Sequence, residues 1–177
     1  MSRTSFVEKL REQVGNELAA HQQYIALAVW FDRQDLPQLA RHFYRQSVEE
    51  RNHGMMIVQY MLDRDLPVEI PGTPPVRNSF STPVELIKLA LDQEKQVTGQ
   101  IEELFRLARS DGDALGEQFL LWFLAEQVEE VASMSTLMVI AQRAGTNWFD
   151  IEDFVAREQI GDGGTDPSAP VAAGGQL

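Results

Sequence analysis

Glu50-Arg51-Asn52-His53 sets a carboxylate and an imidazole three residues apart, and residues at that spacing are neighbours on a helix surface. Such a pair can share a metal ion. Both residues lie on the stripe that carries Phe43, Ile57 and Met61, so they point at a core. The motif is common by itself, and its weight comes from three other segments. Glu17 interrupts a heptad seam of Leu10, Tyr24 and Phe31. Glu94 interrupts Ile87, Ala90, Val97, Ile101 and Leu104. Gln127 and Glu130 interrupt Phe119, Phe123, Met134 and Leu137. Each acid falls near the middle of its helical pattern, and midpoints of similar-length helices meet in a bundle whichever way each helix runs.

Clustered buried carboxylates are costly without a cation, because desolvation and mutual repulsion both oppose their charge. Oxygen donors with one imidazole suit Fe(II), Mn(II) or zinc. A bridging carboxylate with terminal ligands on each side describes a two-metal site. Any one of these acids alone reads as an interhelical ion pair or a side chain reaching to the rim, and it is their coincidence with a histidine that points to metal. Glu49, Glu126 and Glu129 adjoin the set in sequence, as a solvated face or as a third cation position. Tyr24 and Trp122 are core aromatics that could also donate a hydrogen bond or an electron beside the ligands. Met55, Met56, Met134 and Met138 read as packing residues. His21 and His42 read as surface groups.

These residues need helices to position them. Apolar spacing is helical almost throughout, predicting helices over 5–32, 36–64, 83–110, 114–143 and a short one over 147–158. Ser5 and Glu8 form a capping box for the first. Asp35 is the expected N-cap of the second, and Thr82 with Pro83 and Glu85 opens the third. The fourth follows Ser110-Asp111-Gly112-Asp113 and stops at Gly145. Short connections make the first and second helices one antiparallel hairpin and the third and fourth another. The segment from Asp65 to Thr82 carries Pro67, Pro71, Pro74 and Pro75 and cannot be helical throughout. A helix of about 28 residues is ~42 Å long, and about 17 extended residues span ~56 Å. The segment can therefore cross the bundle end to end and set the second and third helices parallel; an ordinary surface loop is the alternative.

The 177 residues predict one domain over 1–160, and 161–177, rich in Gly, Ala, Pro and Ser, reads as a flexible, disordered tail. The absence of cysteine excludes disulfides, thiolate metal sites and cysteine nucleophiles. No signal-peptide pattern and no membrane-spanning apolar run is visible, so a cytoplasmic protein is expected. The formal charge of -12 argues against nucleic-acid binding through a basic surface. Neither a glycine-rich phosphate loop nor a serine–histidine–acid arrangement is present.

The set Glu17, Tyr24, Glu50-x-x-His53, Glu94 and Gln127-x-x-Glu130 resembles the ferroxidase centre of bacterial non-haem ferritins. Asp35-Leu36-Pro37-Gln38-Leu39-Ala40, Val48-Glu49-Glu50-Arg51-Asn52-His53 and Trp122-Phe123-Leu124-Ala125-Glu126-Gln127 are similar to actinobacterial, mycobacterial-type members, and the likeness covers about residues 5–158. It implies an all-α, ferritin-like four-helix bundle with a crossover between the second and third helices and a short fifth helix. It implies that Glu17, Glu50 and His53 bind one iron, that Glu50 bridges to a second completed by Glu94 and Glu130 with Gln127 nearby, and that Glu49, Glu126 and Glu129 match an extra iron position. It further implies ferroxidase activity with dioxygen or hydrogen peroxide, and a homo-oligomer of 24 subunits storing ferric mineral. Two departures separate the chain from bacterioferritins. Its fourth helix lacks a second Glu-x-x-His, and Asn52 stands where their haem-binding methionine sits, so no haem is expected. A non-storing di-iron or di-manganese oxidase and a purely structural helical module are the competing readings. The tail is expected to be passive, with a docking peptide as its alternative.

Overall fold

The computed structural model describes residues 5–158 and 166–177. Among them the regular elements are helices: α1 (Phe6–Asp32), α2 (Pro37–Asp63), α3 (Pro83–Asp111), α4 (Ala114–Ala144) and α5 (Trp148–Arg157). Their ends follow local chemistry. Ser5 Oγ accepts the Glu8 N–H at 3.2 Å, and the Glu8 carboxylate accepts the Ser5 N–H at 2.8 Å, the reciprocal box the sequence predicts. Asp113 caps α4 by accepting from Gly116 N–H at 3.0 Å. Gly112, at φ 71°, closes α3 in the left-handed region that suits glycine.

The start of α2 differs from expectation. Asp35 has φ 56° and belongs to the turn, Leu36 holds the cap position, and no side chain nearby bonds to the first turn. Glu152 on α5 does so instead: its carboxylate accepts from Gln38 N–H at 2.5 Å and Leu39 N–H at 3.0 Å. A carboxylate at a helix N-terminus also complements the helix dipole. At α3, Thr82 makes no side-chain cap, and Glu85 accepts from Ser81 N–H at 2.8 Å.

Ring and side-chain contacts fix the topology. His53 meets Trp122 at 5.7 Å between ring centroids, Tyr60 stacks on Phe119 at 4.0 Å, and Gln46 reaches Glu130. Rising numbers on α2 thus meet falling numbers on α4, so the two are antiparallel. Because α3 turns straight back into α4, α2 and α3 run parallel, and the segment between them is the end-to-end crossover. It rides along α1 for nearly its full length. Arg11 donates to the Pro67 carbonyl at 2.9 Å, Thr73 pairs with Gln22 at 2.8 Å, Gln23 bonds Arg77 N–H at 2.8 Å, and Trp30 donates to the Phe80 carbonyl at 3.2 Å. Gly15 admits it: a Cβ there would lie 2.6 Å from Pro71 Cγ.

Two apolar clusters fill the bundle. One, with Leu27, Phe31, Phe43, Ile87, Leu137 and Ile151, lies toward α5. The other, with Leu10, Val14, Ile57, Met61, Ile101 and Leu120, lies toward the opposite end. Each fully buried Leu, Ile or Phe contributes ~1.5–3 kcal/mol, and the layer between the clusters carries polar groups.

Of the tail expected to be flexible, residues 161–165 lie outside the described residues. Residues 166–177 lie against α2 and α4: Trp122 Nε1 donates to Asp166 at 2.7 Å, Ala173 N–H to the Met55 carbonyl at 2.9 Å, Arg51 to the Gly175 carbonyl at 3.1 Å, and Leu177 N–H to Asn52 Oδ1 at 3.3 Å. Ala172 is buried against the bundle. The domain boundary expected near 160 falls outside the described residues. The histidines read as surface groups are also placed otherwise. His42 is fully buried beside Phe43, and burial with the nearby Arg45 charge lowers its pKa to about 4. His21 is half-buried, its Nδ1 2.6 Å from the Ser47 carbonyl oxygen.

Candidate metal centre

Four helices deliver the polar layer, each by substituting a polar side chain on an otherwise apolar seam. Glu17 comes from α1, Glu50 and His53 from α2, Glu94 from α3, and Gln127 and Glu130 from α4; all six are buried. Ligand atoms of Glu17, Glu50 and His53 all lie within 4.8 Å of one another. His53 Nδ1 stands 3.5 Å from Glu50 Oε2. The Glu50 carboxyl interacts electrostatically with both Glu17 and Glu94. Glu50 is therefore the central member of the group.

Neighbouring polar groups orient the outer members. Gln13 donates to Glu17 Oε1 at 2.8 Å, and Asn16 donates to Gln13 at 3.2 Å. The Tyr24 hydroxyl donates to Glu94 Oε1, while Gln127 Nε2 donates to Glu94 Oε2 at 3.2 Å. Thr98 holds Gln127 at 3.3 Å. Gln46 Nε2 donates to Glu130 Oε1 at 3.4 Å and also to Glu49.

The charge pattern is strained in the absence of a cation. Burial, then the charges of Glu94 and Glu17, pushes the Glu50 carboxyl well above the ordinary range. Burial does the same to Glu130, reinforced by Glu94, Glu49 and Glu126. Burial raises Glu94 to about 7, although the Tyr24 hydrogen bond works against the shift. The Tyr24 hydroxyl is itself raised well above its usual value, by burial and then by Glu94, Glu50 and Glu130. Meanwhile Glu17 Oε2, Glu50 Oε2 and Glu130 Oε2 are buried and accept no hydrogen bond from the described residues. Buried oxygens of that kind are normally satisfied. Anionic oxygens with one imidazole, poised and unsatisfied, fit a divalent cation.

The remaining candidates lie toward the surface. Glu49 and Glu126 are half-buried and, with His53 and Trp122, line a cavity of ≈ 800 Å³ whose wall includes Asp166 and Leu177 of the tail. Glu129 is exposed on α4 and takes no part in the contacts described. Gln13 and Gln46 went unidentified in the sequence. Their signal is an amide one turn before an acid, Gln13 before Glu17 and Gln46 before Glu49, a spacing that brings side chains together on a helix.

Residues 7–144 match the model of the Ferritin-like domain, named Ferritin. The chain belongs to the ferritin family. It is 62% identical over 174 residues to Ferritin BfrB of Mycolicibacterium smegmatis, covering 98% of this chain and 96% of that one. Proteins of Mycobacterium tuberculosis named Ferritin BfrB and Bacterioferritin BfrB are 58% identical over 175 residues, covering 99% of this chain and 96% of theirs. A protein of Staphylococcus aureus named Bacterial non-heme ferritin is 36% identical over 141 residues, or 80% of this chain and 85% of that one. In fold, the ferritin is similar to an open-pore ferritin of Archaeoglobus fulgidus, with a TM-score of 0.83 at 24% identity over 89% of this chain and 97% of the other.

Proposed function

We propose that this ferritin stores iron: it binds and oxidises Fe(II) at an intra-subunit two-metal centre and keeps Fe(III) as mineral inside a shell of 24 copies. Iron is the substrate. The observation that carries the reading is the trio of buried, unsatisfied carboxylate oxygens on Glu17, Glu50 and Glu130, with Glu50 and His53 within ligand reach of Glu17. Glu17, Glu50 and His53 take one ion. Glu50 is shared with the second, which Glu94 and Glu130 complete, with Gln127 beside them. Each Fe(II) gives up one electron, so a pair supplies the two electrons that, with two protons, convert dioxygen to hydrogen peroxide; peroxide can itself serve as the oxidant. Anionic oxygen donors favour the ferric product, and the apolar clusters on either side hold those donors fixed.

Glu49 and Glu126 are proposed to take a third ion at the cavity mouth, with Glu129 one residue from Glu130 as their outer neighbour. A haem held by the bacterioferritin route is not part of the proposal: Asn52 occupies that position and holds Leu177 of the tail. The tail contacts are intramolecular and lend no support of their own to a separate docking partner. Among the described residues no helix is long and apolar enough to cross a membrane, and we place the protein in the cytoplasm.

The test is a ferrous titration of the metal-free protein in air, at hundreds of irons per assembly. Storage predicts rapid oxidation with ferric iron held in solution by the protein. Oxidation that stops near two irons per chain, with the excess precipitating, would make this a non-storing di-iron enzyme. Glu50→Ala is expected to abolish the fast phase without disturbing assembly; an unchanged initial rate would remove Glu50 from the shared position.

A further inference from the structure

Gln46 is 2% exposed and stands on the same face of α2 as Glu49, Glu50 and His53, at spacings that bring helix side chains together. Its amide nitrogen is shared between two carboxylates: Glu49, which lines the cavity, and Glu130, which belongs to the buried centre. Two acceptors fix the amide orientation, since turning it over would aim a carbonyl oxygen at two acids. The carbonyl oxygen is then left buried, with no hydrogen-bond partner among the described residues. A buried amide oxygen normally finds a donor. The two acids that meet its amide nitrogen offer no donor once ionised, and a bound cation would then supply the missing partner.

We propose that Gln46 is a positioning residue that couples the cavity-mouth cation position to the buried pair. Its nitrogen ties Glu49 to Glu130, and its carbonyl oxygen is a further neutral ligand for a divalent cation moving between them. The inference rests on the metal-centre reading above. It adds a residue outside the set of acids, glutamine and histidine assigned there. The coupling is mechanical: an ion that draws Glu49 toward the cavity also changes the hold on Glu130, and occupancy of Glu130 changes the hold on Glu49.

Anaerobic calorimetric titration of the assembled, metal-free protein with Co(II) tests this. Removing an outer hydrogen-bond partner of a ligand weakens metal binding by ~10–100-fold, and Gln46→Leu is expected to do so. The deciding comparison is Glu49→Ala in both backgrounds. In the native background it should weaken Co(II) binding at the buried pair; with Gln46→Leu present it should do no more than Gln46→Leu alone. Additive losses, or affinities unchanged while only the thermal midpoint falls, would reduce Gln46 to a packing residue and overturn the inference. A native protein silent to Co(II) would instead overturn the metal centre, and the inference with it.

Discussion

The Tyr24 hydroxyl donates to Glu94 Oε1 across the α1–α3 interface, joining residues 70 positions apart. Tyr24 is also stacked on Phe43, with centroids 5.8 Å apart, so its ring and its hydroxyl have separable roles. Tyr24→Phe keeps the ring and removes the donor. Hydrogen bonds to charged groups contribute ~1.5–3 kcal/mol, so the Glu94 carboxylate becomes harder to ionise. The pH for half-saturation with Co(II) should move upward by about one unit or more, with the fold intact by circular dichroism. An unmoved midpoint would show that the hydroxyl does not support the ionised acid.

The three raised carboxyls give the metal-free protein a stability with an unusual sign. A group whose pKa is raised on folding stabilises most below its unfolded value, and that contribution is lost as pH rises through the folded value. Glu94, at about 7, loses its contribution as pH rises from the ordinary carboxylate range to neutrality, and Glu50 and Glu130 act in the same direction. His42 runs the other way: lowered to about 4, its contribution is present above ~6.5 and lost on acidification. Between about pH 6.5 and 7 the carboxyls therefore set the trend, at no more than about 1.4 kcal/mol per pH unit from Glu94. Scanning calorimetry should show the metal-free midpoint falling across that window. Saturating Co(II) should reverse the slope, because ligation displaces the protons. A flat metal-free profile would contradict the assignment.

Gly15→Ala and Gly99→Ala should have opposite signs. Both residues sit inside helices, where alanine is ordinarily favoured by ~0.5–1 kcal/mol. At Gly99 a Cβ meets nothing within 4 Å, whereas at Gly15 it meets Pro71 at 2.6 Å. Overpacking of that kind costs ~1–3 kcal/mol. Denaturation midpoints should rise for Gly99→Ala and fall for Gly15→Ala. A rise in both would mean that the crossover yields freely.

Glu152→Ala removes the only side-chain acceptors described for the first turn of α2. Lost caps cost ~0.5–2 kcal/mol. Glu152→Gln, which keeps one acceptor oxygen, should fall between the native protein and Glu152→Ala in thermal midpoint. Equal loss from both variants would point to the charge rather than to the cap.

The sequence was most informative where chemistry conflicts with pattern. Glu17, Glu50, Glu94 and Glu130 stand out because a carboxylate on an apolar seam breaks a strong periodicity, and Ser5 with Glu8 or Asp113 before Gly116 are local devices that chain spacing carries whole. Gln13 and Gln46 escaped because glutamine is compatible with a solvated helix face, and only the neighbouring helices reveal its burial. The burial of His42 is not legible either, because it depends on packing and not on the presence of a second ligand nearby. The contacts of residues 166–177 are not legible in the sequence because backbone groups and small residues such as Ala172 leave no periodic trace. The cap of α2 is not legible near Asp35 because its acceptor comes from another helix.

That last arrangement bears on the order of synthesis. Glu152 follows Leu39 by 113 residues. At elongation rates of ~5–20 residues per second, the α1–α2 hairpin leaves the ribosome on the order of ten seconds before its missing acceptors exist. Until α5 emerges, the first turn of α2 must be satisfied by water, and it is free to fray. The final helix of the bundle thus completes the beginning of the second, so a nascent chain interrupted before residue 152 carries the Glu-x-x-His helix with its leading end unfinished.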